Sequence, residues 1–112
     1  MDAILRHIPA RTVLDLARQV DYQPGQIVSK TLVQNSAVSL TLFAFDQGEE
    51  ISTHEAHGDA LINVLDGTGQ VTIDGTPYTV EAGQSIVMPA EVPHSVLALA
   101  QFKMSLLVVS PA

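Results

Sequence analysis

Residues 53–67 read THEAHGDALINVLDG, a stretch that places two histidines three positions apart, then an apolar run, then an Asp-Gly turn. The run 60–66 has the length and the apolar content of a strand. Because side chains alternate between the two faces of a strand, His54 and Ala56 are predicted to share one face and His57 to lie on the other. The stretch therefore predicts a strand, and it raises the question whether its histidines hold a metal ion.

Short strands separated by turns continue along the rest of the chain. The predicted strands are residues 27–34, 37–46, 60–66, 70–74, 78–81, 85–88, 94–99 and 103–110. Turns recur every 8–12 residues or so, which is typical of antiparallel sandwiches and barrels. Strand 37–46 is mostly apolar on both faces, which predicts that it is covered on two sides. Residues 12–20 are predicted to form a short helical or extended segment, with Thr12 as the candidate N-cap.

Composition and charge narrow the classes of protein and of site. A chain of 112 residues suits one domain, and the absence of cysteine excludes disulfides and thiolate metal ligands. The formal net charge is −7, and no Lys or Arg occurs between Thr31 and Phe102, so a nucleic-acid partner is not expected. No apolar run is long enough to span a bilayer and no secretion signal is visible, so a cytoplasmic location without a membrane partner is expected.

Two spaced motifs resemble those of the cupin superfamily. The first superfamily motif, G-x5-H-x-H-x3-E-x6-G, aligns with Gly48, His54, Ala56, Ala60 and Gly67. The second, G-x5-P-x-G-x2-H-x3-N, aligns with Gly83, Pro89, Glu91, His94 and Ala98, and every spacing is retained. The resemblance implies an all-β double-stranded β-helix, the jelly-roll or cupin barrel, over about residues 37–110 of a single domain that spans residues 1–112.

The matched positions keep only part of the ligand set of metal-binding cupins. In those relatives the metal is held by two histidines and a glutamate of the first motif and by the histidine of the second. Here His54 and His94 remain, whereas Ala56 and Ala60 replace the other two ligands. A bulge at His57-Gly58 would turn His57 inward.

The resemblance thus implies a divalent metal ion, Fe, Ni, Zn, Mn or Cu, at His54, His57 and His94. The alternative is a hydrogen-bonded set of pocket histidines on a scaffold that has lost its metal.

Small side chains near the histidines predict an apolar ligand pocket. Its predicted wall consists of Ala56, Ala60, Ile62, Met88, Val96 and Ala98. Three functions stay open: a metal-dependent enzyme acting on a small organic molecule, by resemblance a dioxygenase, isomerase or lyase; a non-enzymatic small-molecule binding or sensing module; and a scaffold whose surface mediates assembly. One superfold hosts many chemistries, so the sequence leaves open whether the chain is an enzyme.

The resemblance also implies a homodimer. An exposed strand 27–34 would invite uncontrolled edge pairing, so this strand and the N-terminal segment are candidates to pair with a second copy. The alternative is that the N-terminal segment covers its own sheet.

Overall fold

Nine strands make up most of the chain in the computed structural model, which describes residues 3–111. They are β1 (Ile27–Gln34), β2 (Val38–Phe45), β3 (Glu50–His54), β4 (Asp59–Asp66), β5 (Thr68–Ile73), β6 (Thr76–Glu81), β7 (Ser85–Met88), β8 (His94–Ala98) and β9 (Phe102–Val109). All eight predicted strands are present, and β3 is additional. Apart from Ile51, the residues of β3 are exposed, so this strand has no hydrophobic pattern to predict it.

The strands form two antiparallel sheets that enclose a common core. One sheet has the strand order β1-β2-β9-β4-β7, and the other has the order β3-β8-β5-β6. Fully buried side chains from both sheets, among them Phe45, Ile62, Val71 and Phe102, belong to one apolar cluster. Burying each such side chain stabilises the fold by about 1.5–3 kcal/mol relative to leaving it exposed. The predicted all-β jelly-roll fold, a double-stranded β-helix, is confirmed.

Strand β2 buries both of its faces, as its sequence predicts. Phe43 and Phe45 point between the two sheets, where the rings of Phe45 and Phe102 lie 4.7 Å apart. Leu42 and Ala44 point to the opposite side and join a second buried cluster. That cluster lies on the outer face of the five-stranded sheet and includes Ile8, Leu16, Val20 and Tyr22 of the N-terminal segment.

The N-terminal segment is mostly irregular and packs against its own sheet. Its one helical turn among the described residues is a 3-10 turn at Leu16–Arg18, which is preceded by Asp15 and not capped by Thr12. The Tyr22 hydroxyl donates to Asp66 Oδ2 over 2.6 Å, and Lys103 Nζ donates to the carbonyl of Ala17 over 2.6 Å. These bonds tie the segment to the ends of β4 and β9.

Part of the free edge of β1 is covered from within the chain. The backbone N–H of Arg6 donates to the carbonyl of Leu32 over 2.7 Å, and His7 Nδ1 lies 3.0 Å from the carbonyl of Thr31. The structure thus shows the arrangement in which the N-terminal segment covers its own sheet. Residues 1, 2 and 112, the ends of the predicted domain, lie outside the described part of the chain.

Between residues 3 and 111, no helix has the length and apolar character needed to cross a membrane.

Candidate metal and ligand site

His54 and His94 face each other across two neighbouring strands. They are direct partners in the register of β3 and β8. Their Nε2 atoms lie 3.1 Å apart, and the two ring planes are inclined at 72°. The structure therefore brings together the two histidines that match the ligand positions of the cupin motifs.

An irregularity in β3 aims His54 inward. Ile51 pairs with Val96 and His54 pairs with His94, so three steps along β3 match two steps along β8. One extra residue on one strand is a β-bulge, and it shifts the face of the residues that follow. As a result Ile51 and His54 line the same cavity, although an unbroken strand would place them on opposite faces.

The hydrogen bonds of the two rings fix which nitrogen carries the proton. His54 Nδ1 lies 2.9 Å from the carbonyl oxygen of Ser52, and His94 Nδ1 lies 3.1 Å from that of Val92. A carbonyl oxygen only accepts, so each Nδ1 donates its proton, and in the neutral ring each Nε2 keeps a lone pair. A hydrogen bond from Nδ1 to a backbone carbonyl is the contact that commonly orients the histidine ligands of metal ions.

The two rings differ in their exposure to solvent. His94 is 3% exposed, whereas the side chain of His54 is open to solvent at the mouth of the cavity. Burial lowers the pKa of His94; the hydrogen bond to the Val92 carbonyl opposes this shift, and the charge of His54 adds to it. The lowered pKa keeps His94 in the neutral form that can bind a metal ion or accept a proton.

The structure does not bring His57 to the other two histidines. Its side chain is 92% exposed, and its Nδ1 lies 3.0 Å from Glu91 Oε1. The hydrogen bond to Glu91 and the negative charge of Glu91 raise the pKa of His57 above its ordinary value. This position does not support the prediction of His57 as a third metal ligand.

The physical reason lies in where the bulge falls. The bulge lies before His54, and Ala56 lines the cavity on the same side as His54. The chain bends at His57 and Gly58, and this bend leaves the His57 side chain in solvent. The role of Gly58 is close packing, because a Cβ at Gly58 would collide with the backbone carbonyl of Val109 in β9.

A cavity of about 170 Å³ lies beneath the histidine pair. From the five-stranded sheet it is lined by Phe43, Ala60, Met88, Met104, Leu106 and Val108, and from the other side by Ile51, Ala56 and Val96. Of the predicted wall residues, Ala56, Ala60, Met88 and Val96 line it. Ile62 and Ala98 do not; they are buried in the core cluster further along the same strands.

Five further residues line the cavity beyond those that the sequence predicted. Phe43, Met104, Leu106 and Val108 point inward from β2 and β9, and Ile51 points inward from β3. The alternation of Met104, Leu106 and Val108 is a readable signal of a shared face. It does not reveal that this face lies opposite the histidines, because β9 pairs with β2 and β4 and not with β8.

The geometry of the histidine pair fits a metal ion with two protein ligands. Two nitrogen atoms that bind the same Zn²⁺ ion at about 2.0–2.1 Å lie about 2.9 Å apart when the N–Zn–N angle is a right angle. They lie about 3.3 Å apart when that angle is tetrahedral. The observed 3.1 Å lies in this range. Over residues 3–111, no three His, Cys, Asp or Glu side chains are grouped to hold a metal ion. Further ligands would therefore come from water or from a bound molecule.

Comparison with known proteins agrees with this architecture. The family profile of the cupin domain matches residues 41–110. A conserved protein of unknown function from Streptococcus pyogenes is 40% identical, with a TM-score of 0.97 over 99% of this chain and 97% of that chain. A cupin superfamily protein from Desulfitobacterium hafniense is 28% identical, with a TM-score of 0.92 over 97% of this chain and 100% of that chain.

A curated relative has a named activity. This chain is similar to the dimethylsulfoniopropionate lyase of Ruegeria pomeroyi, with 27% identity over 79 residues, which cover 66% of this chain and 52% of the lyase. The chain thus spans about half the length of that relative. The matched cupin profile covers well over half of the 112 residues, and the chain belongs to the cupin family.

Proposed function

We propose that this cupin binds a small organic molecule in its cavity, next to a divalent metal ion held by His54 and His94. One observation carries the proposal: two Nε2 lone pairs converge at 3.1 Å while both Nδ1 atoms are occupied by backbone carbonyls. Neither neutral ring can supply a proton for the Nε2 contact. The close approach of the two Nε2 atoms is therefore favourable when a metal ion, an added proton or a donor group of a ligand lies between them.

The histidines, the backbone carbonyls and the apolar wall would each have a separate role at this site. His54 and His94 would hold the ion, with Ser52 and Val92 fixing the two rings through their carbonyls. The apolar wall would exclude water from the bound molecule, which strengthens electrostatic interactions at the histidine end. A divalent ion bound there would supply Lewis-acid polarisation of a ligand oxygen or nitrogen.

An enzymatic role within this proposal is best tested as a lyase reaction. The supporting observation is the similarity to a curated lyase over 79 residues. Two imidazoles suit Fe, Ni, Zn and Cu alike, whereas Mn prefers oxygen ligands, so measurement must decide which of these five ions is bound.

A metal-free binding or sensing module is the second candidate. It is favoured by the two alanines in the cavity wall, Ala56 and Ala60, which stand where metal-binding cupins have a histidine and a glutamate. In this case the histidines would hydrogen-bond the ligand directly.

Metal content and metal affinity separate the two candidates. Protein purified without an affinity tag is analysed for metals and then, after chelation, titrated with Zn²⁺ and Ni²⁺ by calorimetry. We expect one ion per chain in the wild type and at least about tenfold weaker binding in His54→Ala and in His94→Ala. The matched control is His57→Ala, which removes an exposed imidazole outside the cavity and should bind like the wild type. Absence of metal and of metal binding in every form would favour the second candidate.

A further inference from the structure

The cavity has one polar end and an apolar interior. His54 and His94 are its titratable lining groups among the described residues, and all other lining side chains are aliphatic, aromatic or thioether. A buried hydroxyl or amide without a hydrogen-bond partner costs about 1–3 kcal/mol. A ligand with polar groups at several positions, such as a sugar, would leave most of them unpaired in this cavity.

The charges of the chain argue against an anionic ligand. No Lys or Arg occurs between Thr31 and Phe102, the span that contributes most of the cavity wall. Lys103, the next cation along the chain, points to the outer face of the sheet, where it bonds the carbonyl of Ala17. In the metal-free protein, a carboxylate or phosphate in the interior would therefore be buried without a paired cation.

The volume limits the size of the ligand. A cavity of about 170 Å³ is slightly larger than an engineered apolar cavity of ~150 Å³ in another protein that binds benzene. The thioethers of Met88 and Met104 also favour an aromatic ring, because sulfur makes favourable contacts with ring edges.

The hydrogen-bonding state of the histidines selects the polar group of the ligand. Both Nδ1 atoms donate to backbone carbonyls, so both Nε2 atoms of the neutral pair accept. A hydroxyl or an N–H can donate a hydrogen bond to these atoms. An ether or a carbonyl group has no proton to donate and forms no hydrogen bond with them.

We infer that the ligand of this cavity is a small uncharged molecule of single-ring size, apolar over most of its surface, that presents one hydrogen-bond donor to Nε2 of His54 and His94. The inference rests on the proposed function in taking the cavity as the ligand site, and it describes the metal-free form, which is the second candidate there. A metal ion bound to both Nε2 atoms would occupy the lone pairs that accept from the ligand. The inference selects phenol-like molecules over sugars, carboxylates and zwitterions.

The inference is tested on metal-free protein, so that its outcome is independent of metal binding. Phenol, toluene, anisole, benzoate and dimethylsulfoniopropionate are titrated at about pH 8, above the ordinary pKa of imidazole, and binding is followed by NMR shifts of the methyl groups of Met88 and Met104. We expect phenol to bind at least about tenfold more tightly than toluene and anisole. We expect benzoate and dimethylsulfoniopropionate to produce no saturable shift.

Four variants locate the binding. Ala56→Leu fills the cavity from its half-buried rim and should weaken phenol at least about tenfold, with Ala60→Leu as a second filling variant. Ala82→Leu, the same change at an exposed position, is the matched control and should bind phenol like the wild type. His94→Phe should remove the preference for phenol over toluene.

Three results would overturn the inference. They are equal binding of anisole and phenol, tighter binding of benzoate or the zwitterion than of phenol, and unchanged phenol binding in folded Ala56→Leu and Ala60→Leu. Phenol binding in protein that never takes up metal would support this inference and contradict the metal proposal. Metal binding without phenol binding would do the reverse.

Discussion

The Nε2 atoms of His54 and His94 lie 3.1 Å apart, although 40 positions separate the two residues in the chain. Neither a loop nor a helix brings them together; the register of β3 against β8 does. Because that register belongs to a sheet packed on the core, the pair is preorganised before any ion or ligand binds. Backbone pairing therefore positions the site, with buried His94 on an inner strand and exposed His54 on the edge strand β3.

The two histidines with shifted pKa values should titrate on opposite sides of 6.5, the ordinary value. Burial lowers the pKa of His94, and the Glu91 carboxylate raises that of His57. We expect ring NMR resonances of metal-free protein to show His94 titrating below 6.5 and His57 above it. Glu91→Gln should move His57 back towards 6.5 and leave His94 in place. Coincident titrations of the two rings would contradict the described environments.

The lowered pKa of His94 also determines the direction in which the stability of the fold changes with pH. The unfolded chain protonates residue 94 near 6.5, whereas the folded chain does so only at lower pH. Between these values the unfolded state binds more protons, so the stabilising contribution of neutral His94 is complete above 6.5 and is lost as pH falls through the folded pKa. Urea denaturation of the wild type and of His94→Gln between about pH 5 and pH 7 measures this, and the variant should show the weaker dependence.

Restoring a third imidazole should strengthen the metal site. Ala56 lines the cavity beside the histidine pair, at the position where metal-binding cupins have a second histidine. We expect Ala56→His to raise the affinity for Zn²⁺ at least about tenfold, because a third nitrogen donor replaces a water ligand. Calorimetric titration measures the change. Thr79→His, which adds an exposed imidazole to β6 outside the cavity, is the control and should leave the affinity unchanged.

The sequence predicted what depends on spacing and missed what depends on strand pairing. The motif spacings predicted that His54 and His94 face one cavity. The alternation of side chains along a strand predicted that His57 lies on the outer face. The bulge that aims His54 inward lies between Ile51 and His54, not after His57. Its position is set by the pairing of β3 with β8, a long-range contact that no local pattern reveals.

A left-handed residue near the cavity should carry measurable strain. Glu91 has a φ of +66°, at the position where the cupin motif has glycine. This conformation costs an L-residue about 1–2 kcal/mol, and glycine avoids the cost. Glu91→Gly and Glu91→Ala both remove the carboxylate that pairs with His57, so their difference isolates the backbone term. We expect the glycine variant to be more stable than the alanine variant by about 1 kcal/mol in urea denaturation; equal stabilities would show that the backbone there is unstrained.

The outer faces of the two sheets differ in a way that bears on the predicted homodimer. On the five-stranded sheet, an apolar row crosses four strands through Leu40, Leu107, Leu61 and Val87, which are successive register partners. The N-terminal segment packs beside Leu40, and Val87 at the far end is 54% exposed. The outer face of the four-stranded sheet instead carries polar partners such as Thr72 and Ser95.

We expect the apolar row, defined by Leu40, Leu107, Leu61 and Val87, to be covered by a second copy of the chain. The row contains no charged residue, so two chains of net charge −7 can approach there with less repulsion than elsewhere. Light scattering coupled to size-exclusion chromatography should give a dimer for the wild type. Leu61→Glu should shift it to monomer, because a charge would be buried without a partner. Ser95→Glu, the same new side chain on the polar sheet, is the control and should remain dimeric; a monomeric wild type would contradict the expectation.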